Sequence, residues 1–227
     1  MASKSSRIKK AGDYFLAEMT YRKISEPIAI LLSKAGITPN QVSLISIISA
    51  SIAGFFFSFG KWNSLIIGYV FLQLTFLLDH VDGNLARYTE KSNVFGQWVD
   101  GFSNKLHKFF FALGISIGVF RLTDNPFYLI LGSITIFNWF FASYISETKT
   151  QFSFKKDLNN SGNSEKRVDL IKFLKQMPFS LIMNNIFGLL ILVNKPIFAL
   201  WFISIVSLNS LQQIYSVRKY WKRENKV

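Results

Sequence analysis

WNSLIIGYVFLQLTFLLDHVDGNLAR, residues 62–87, passes from apolar to charged without a break. Its first part, Trp62 to Leu78, has no charged side chain and, at about 1.5 Å per residue, crosses most of a bilayer's hydrocarbon core as a helix. Its second part sets Asp79 and Asp82 three positions apart, followed by Gly83, Ala86 and Arg87. Carboxylates beside lipid are costly unless partnered, so this transition predicts a membrane span that ends in a polar site at one surface.

Composition agrees with that reading. Of 227 residues, 50% are hydrophobic and 24 are Phe, and the mean hydropathy is positive, which is too much apolar surface for a soluble domain of this size. There is no cysteine, which excludes disulfides, thiolate metal sites and thiol nucleophiles. Any metal must be held by oxygen or imidazole. The net charge of +13 is not gathered on a basic, aromatic-studded face, so no nucleic-acid partner is expected.

Working outward, apolar runs of span length recur at Val42 to Phe59, Phe127 to Ile145, Met177 to Val193 and Pro196 to Ile214. Gln97 to Phe120 starts charged and becomes apolar from Phe109, as expected of a helix that begins in a polar cavity. With Trp62 to Leu78 this predicts an all-α polytopic membrane protein of six spans. Six spans put both termini on one side. That side would carry the basic N-terminal segment, the loop with Arg87 and Lys91, the long loop from Lys149 to Lys175 and a tail with Arg218, Lys219, Lys222, Arg223 and Lys226; the other would carry only Lys61, Arg121 and Lys195. The positive-inside bias then makes the acid-bearing side cytoplasmic, in the cytoplasmic membrane.

With no linker and no internal repeat, residues 1–227 read as one domain: an N-terminal segment to residue 37, a six-helix bundle over 38–215 and a basic tail over 216–227. The N-terminal segment is basic and has no long apolar core, so it is expected to stay in the cytoplasm rather than act as a cleaved leader. Thr38-Pro39-Asn40-Gln41 reads as a helix start with a capping box, and Gly36 as the end of a short amphipathic interfacial helix, Ile24 to Ala35. Lys155 to Arg167, rich in Asn, Ser, Lys and Gly, reads as a cytoplasmic loop.

At helical spacing Asp79 and Asp82 share a face, Gly83 and Ala86 leave room beside it, and Asp100 begins the next helix. Three acids gathered near lipid point to a hard cation. The run Asp79-x-x-Asp82-Gly83-x-x-Ala86-Arg87, continued by Gly96 and Asp100, resembles the signature of the CDP-alcohol phosphotransferases, and the six spans and interfacial helix are similar to that family too. The resemblance implies a reaction in phospholipid or related phosphodiester synthesis: an acceptor alcohol attacks a CDP-alcohol, a new phosphodiester forms and CMP is released. It implies Mg²⁺ or Mn²⁺, two ions, held by Asp79, Asp82 and Asp100. It also implies a CDP moiety lodged at Gly83, Ala86 and Gly96, with Arg87 on phosphate.

One position departs from the signature. The family's last aspartate, assigned as the base, is replaced here by Asn104, whose carboxamide takes up no proton near neutral pH. Three readings stay open: a substitute base, His107 or His80; an acceptor activated by metal and positioning alone; or a relative that binds a CDP-alcohol without efficient turnover. Gly114-x-x-x-Gly118 is a helix-packing pattern that serves equally inside the bundle or across a homodimer. Asn138, Asn184 and Asn185 fit a cavity wall or interhelical hydrogen bonds, and the five tryptophans include interface anchors against membrane lipids.

Overall fold

Thr38 opens the first long helix by the chemistry its sequence predicts. Its hydroxyl accepts from the Gln41 N–H at 3.4 Å, the Gln41 side chain accepts from the Thr38 N–H at 2.8 Å, and Pro39 takes the first helical position. The computed structural model describes residue 21 and residues 23–90, 94–159 and 179–208; these contain seven helices and no strand. They are α1 (Lys23–Lys34), α2 (Pro39–Phe57), α3 (Trp62–Thr89), α4 (Val94–Thr123), α5 (Phe127–Asn159), α6 (Phe179–Leu192) and α7 (Pro196–Ser207).

Four stretches, Pro39–Phe57, Trp62–Thr89, Phe95–Thr123 and Phe127–Ile145, are long and apolar enough to cross a membrane. The helices α6 and α7 are apolar but shorter, at 14 and 12 residues; the ends of the expected spans at 177–178 and 209–214 lie outside the described residues. Large apolar side chains such as Leu44, Phe55, Val70, Ile130, Phe137 and Phe198 stand exposed on the helix faces. In an all-α integral membrane protein this is the lipid-facing surface, where exposure of Phe or Ile costs nothing.

Turn chemistry sets the connections. The helix α1 ends at Gly36 (φ 74°), with Ile37 N–H donating to Leu32 O at 3.0 Å and Gly36 N–H to Ser33 O at 3.2 Å, a Schellman closure. Asn194 (φ 55°) does the same between α6 and α7, with Lys195 N–H on Leu190 O at 2.9 Å and Asn194 N–H on Ile191 O at 3.0 Å. Between α4 and α5 the chain turns at Asp124, and Asn125 Oδ1 accepts from the Phe127 N–H at 3.0 Å to start α5.

Two expectations are corrected. Arg87, expected in a loop after the second span, lies in the last turn of α3, which runs without interruption to Thr89 and closes on Glu90 in the left-handed conformation. The helix α5 continues past Ile145 to Asn159, so Lys149, Lys155 and Lys156, expected in a loop, sit on helical backbone. Lys and Gln, both strong helix formers, sustain that extension. The rest of the expected loop, from Asn160 to Arg167, lies outside the described residues.

The main core is built from Phe57, Leu65, Leu72, Ile115, Ile191 and Leu200, all fully buried, with Trp139 packed at its edge. A smaller cluster of Ala29, Val42, Val81 and Leu85 seats α1 against α2 and α3. The helices α2 and α4 touch backbone to backbone: a Cβ on Gly114 would overlap the Gly54 carbonyl, and one on Gly118 would overlap the Phe57 carbonyl beside Gly60. The Gly114-x-x-x-Gly118 pattern is therefore spent inside the chain. Asn138 makes an interhelical bond, Nδ2 donating to Ser207 Oγ at 3.3 Å, while Asn185 is exposed and the Asn184 side chain lies outside the described residues. Trp62, Trp98 and Trp201 are exposed, as anchors would be, and Trp221 is not among the described residues.

Candidate metal and nucleotide site

The start of α2, the end of α3 and the start of α4 meet at one end of the bundle. Asp79 and Asp82 come from α3 and Asp100 from α4, and each offers a carboxylate oxygen such that all three lie within 4.8 Å of one another. Asp82 is buried, at 4% exposure, whereas Asp100 is exposed. Asp79 Oδ1 is buried and has no hydrogen-bond partner among the described residues. A buried carboxylate oxygen without a donor, facing two more carboxylates, is the arrangement a divalent cation stabilises, so these residues fit a Mg²⁺ or Mn²⁺ ion.

Around the acids stands a shell the sequence reading did not name. Ser43, buried on the first turn of α2, donates to Asp82 Oδ2 at 2.6 Å, across 39 positions of chain. One turn on, Ser46 Oγ donates to Ser43 O at 2.7 Å and so is left to accept from His107 Nε2 at 3.0 Å. His107, at 3% exposure, therefore bridges α4 to α2. A signal for this existed: Ser43, Ser46 and Ser49 recur at three-residue intervals in a largely apolar span, one polar stripe on one helix face.

Asn104 lies one turn beyond Asp100 on α4. Its Nδ2 donates to Asp100 O and to Asp100 Oδ1, both at 3.1 Å. It acts as a neutral donor to an acid. Lys108, a further turn on, is the cation whose charge acts on Asp79. His80 is turned to other partners: its Nδ1 donates to Phe76 O at 2.7 Å, and its ring stacks on Tyr21 at 5.1 Å, while the Tyr21 hydroxyl donates to Gln73 Oε1.

On the next turn of α3, Arg87 Nη2 donates to Asn84 Oδ1 at 2.6 Å, and Asn84 Nδ2 donates to Ser25 Oγ of α1 at 2.8 Å. A Cβ placed on Gly83 would lie 3.6 Å from Arg87 Nη1, so the guanidinium lies along the bare backbone of the glycine. Ala86 is half-buried on the same helix, and Gly96 is half-buried on the first turn of α4. All eight signature positions, from Asp79 to Asn104, thus occupy two consecutive helices, and Asp79, Asp82 and Arg87 share α3.

Comparison with known proteins follows the same outline. The archaetidylinositol phosphate synthase of Pyrococcus horikoshii is 30% identical over 117 residues, which cover 50% of this chain and 61% of that one. The bifunctional IPC transferase and DIPP synthase of Archaeoglobus fulgidus is 29% identical over 144 residues, covering 63% of this chain and 27% of its own. The chain thus spans less than two thirds of the length of either relative. Its fold is that of the Mycobacterium tuberculosis phosphatidylinositol phosphate synthase crystallised with CDP-DAG, with a TM-score of 0.63 at 17% identity over 86% of this chain and 94% of that one. A crystal structure of the same synthase with manganese and citrate gives 0.61 at 18% identity, over 86% and 88%. The sequence profile of the CDP-alcohol phosphatidyltransferases matches residues 36–209, more than half of the length, and the chain belongs to that family.

Proposed function

We propose that this protein transfers a substituted phosphate group from a CDP-alcohol to an acceptor alcohol and releases CMP. The observation that carries the reading is the convergence of Asp79, Asp82 and Asp100 within 4.8 Å, one turn from Arg87, in a chain of this family. In this reading residues 1–227 form one domain, and the reaction takes place at the cytoplasmic face, as the Lys and Arg bias supports.

Asp79, Asp82 and Asp100 hold Mg²⁺ or Mn²⁺. When bound, the metal supplies charge neutralisation and Lewis-acid polarisation of the diphosphate. The chain's own residues do the rest. Ser43 fixes the Asp82 carboxylate, Gly83, Ala86 and Gly96 leave room for the cytidine and its phosphates, and Arg87 presents its planar fork to a phosphate. Asn104 occupies the position of the family base; as a donor to Asp100 it orients an acid and takes no proton. His107 is the nearest alternative base along α4, with its Nε2–H held by Ser46 and Nδ1 left as the acceptor nitrogen.

The test is CMP release, measured over a panel of CDP-linked alcohols and acceptors with added Mn²⁺ or Mg²⁺. The names of the relatives put inositol phosphate first among the acceptors. Metal-dependent CMP release is expected; a protein that binds no cytidine nucleotide at any metal concentration would sink the reading. A second reading, nucleotide binding without efficient turnover, is favoured by the Asn104 carboxamide. Asn104→Asp distinguishes the two, because a restored base is expected to raise kcat by about 10²-fold or more. An unchanged kcat would show that position 104 carries no proton in this protein.

A further inference from the structure

Lys108 lies near the middle of the membrane-capable stretch Phe95–Thr123, where a cation is costly unless a polar cavity and a partner receive it. The helices α3 and α4 both pack along α2 and, among the described residues, touch one another only slightly. One place where they do meet is the edge-to-face contact of Phe76 with Phe111, ring centroids 5.9 Å apart. Asp79 stands three residues beyond Phe76 and Lys108 three residues before Phe111, so each lies nearly one helical turn from that contact, on the side of the acids. Asp100, Asn104, Lys108 and Phe111 recur at intervals of four, four and three, which sets them on one face of α4. The Lys108 charge is thus brought to bear on Asp79.

The charge of the set differs from what the signature prescribes. With the signature's aspartate at position 104 and no cation at 108, the cluster would carry four negative charges, the complement of two divalent ions. Here Asn104 contributes none and Lys108 contributes one positive charge, so beside Asp79, Asp82 and Asp100 a net two negative charges remain, which one divalent ion balances. Asn104 and Ser43 also donate to Asp100 and Asp82, and each donor lowers the charge left for a second ion. Two dications and an ammonium around three carboxylates would be an excess of positive charge in a poorly solvated place.

We propose that in the nucleotide-free protein Lys108 stands in for a second divalent ion, so that Asp79, Asp82 and Asp100 hold one. The proposal rests on the reading of the three acids as the metal ligands. It gives a role to a lysine outside the signature and joins it to the departure at Asn104: the lost carboxylate and the added cation act in the same direction.

The experiment counts Mn²⁺ bound to the full chain in nanodiscs of zwitterionic lipid, without nucleotide, by following free Mn²⁺ with electron paramagnetic resonance during a titration. One ion per chain is expected. Lys108→Met, of similar length and without charge, is expected to lower the Mn²⁺ midpoint by roughly tenfold or more, since a positive charge has been removed from beside a dication. Lys108→Arg keeps the charge and should keep the count of one, and the double variant Asn104→Asp/Lys108→Met should bind two. A gain of metal affinity is a result that a loosened structure does not give. If Lys108→Met does not fold, Lys108→Gln, neutral and polar, takes its place. Two ions on the unaltered chain, one on the double variant, or a midpoint in Lys108→Met that does not fall overturns the proposal and leaves the metal site standing. No Mn²⁺ binding by the unaltered chain, or binding undiminished in Asp79→Asn, overturns both.

Discussion

Ser43 shows how much of a carboxylate site can be set by a residue far away in sequence. Its hydroxyl reaches Asp82 Oδ2 at 2.6 Å from another helix, a short bond to an ionisable oxygen, and both partners are buried. Removing such an outer-shell donor typically costs 10- to 100-fold in metal affinity, so Ser43→Ala is expected to shift the Mn²⁺ midpoint upward by about tenfold, and Ser43→Thr to shift it little. Equilibrium Mn²⁺ titration checks this without any turnover, and an unmoved midpoint in Ser43→Ala would remove Ser43 from the site. At this scale the acids, the glycine and the arginine were legible because their spacing is local. The donors were not. Ser25 meets Asn84 across 59 positions and Ser46 meets His107 across 61, and no periodicity relates residues so far apart. What the sequence did carry was the stripe of Ser43, Ser46 and Ser49, a polar face without a stated partner.

Among elements, starts and stops were read more accurately than extents. The capping box at Thr38 and the terminating Gly36 are where the sequence puts them, because caps are decided by three or four neighbouring residues. The lengths of α3 and α5 were underestimated: an apolar window ends where charge begins, but backbone hydrogen bonding does not, and α3 carries its helix through Asp79, Asp82 and Arg87. The Gly114-x-x-x-Gly118 pattern was legible as packing, though not its partner, which is the Gly54 to Gly60 end of α2. A side chain there has only backbone to displace. Gly114→Val is therefore expected to lower the thermal unfolding midpoint in detergent sharply, by overpacking that typically costs about 1–3 kcal/mol or more. Gly101, which has open space at its Cβ, should accept Ala with little change, and the pair of melting curves provides the comparison.

For the whole molecule, the absence of cysteine in the sequence allows orientation to be read chemically. With the acid-bearing end in the cytoplasm, Glu90→Cys should react with a membrane-impermeant maleimide only in inverted vesicles or opened cells, and Asn125→Cys only from outside intact cells; the reverse pattern would invert the proposed topology. The four long apolar helices were foreseeable from hydropathy, because lipid acts on composition. The mutual placement of the helices was not, since it depends on which glycines meet. That meeting has a mechanical consequence. The helices α2 and α4 are joined where Gly114 lies on Gly54 and again where His107 meets Ser46, and Asp100 sits seven residues beyond that second joint, a lever of roughly 10 Å at 1.5 Å per residue. Pinned at two points, the lever carries the acid at its outer end. A tilt of about 10° at the His107 joint would displace Asp100 by about 2 Å, the difference between a closed coordination shell and a broken one. The glycine contact and the histidine bond together are the fulcrum on which the spacing of the three carboxylates is balanced.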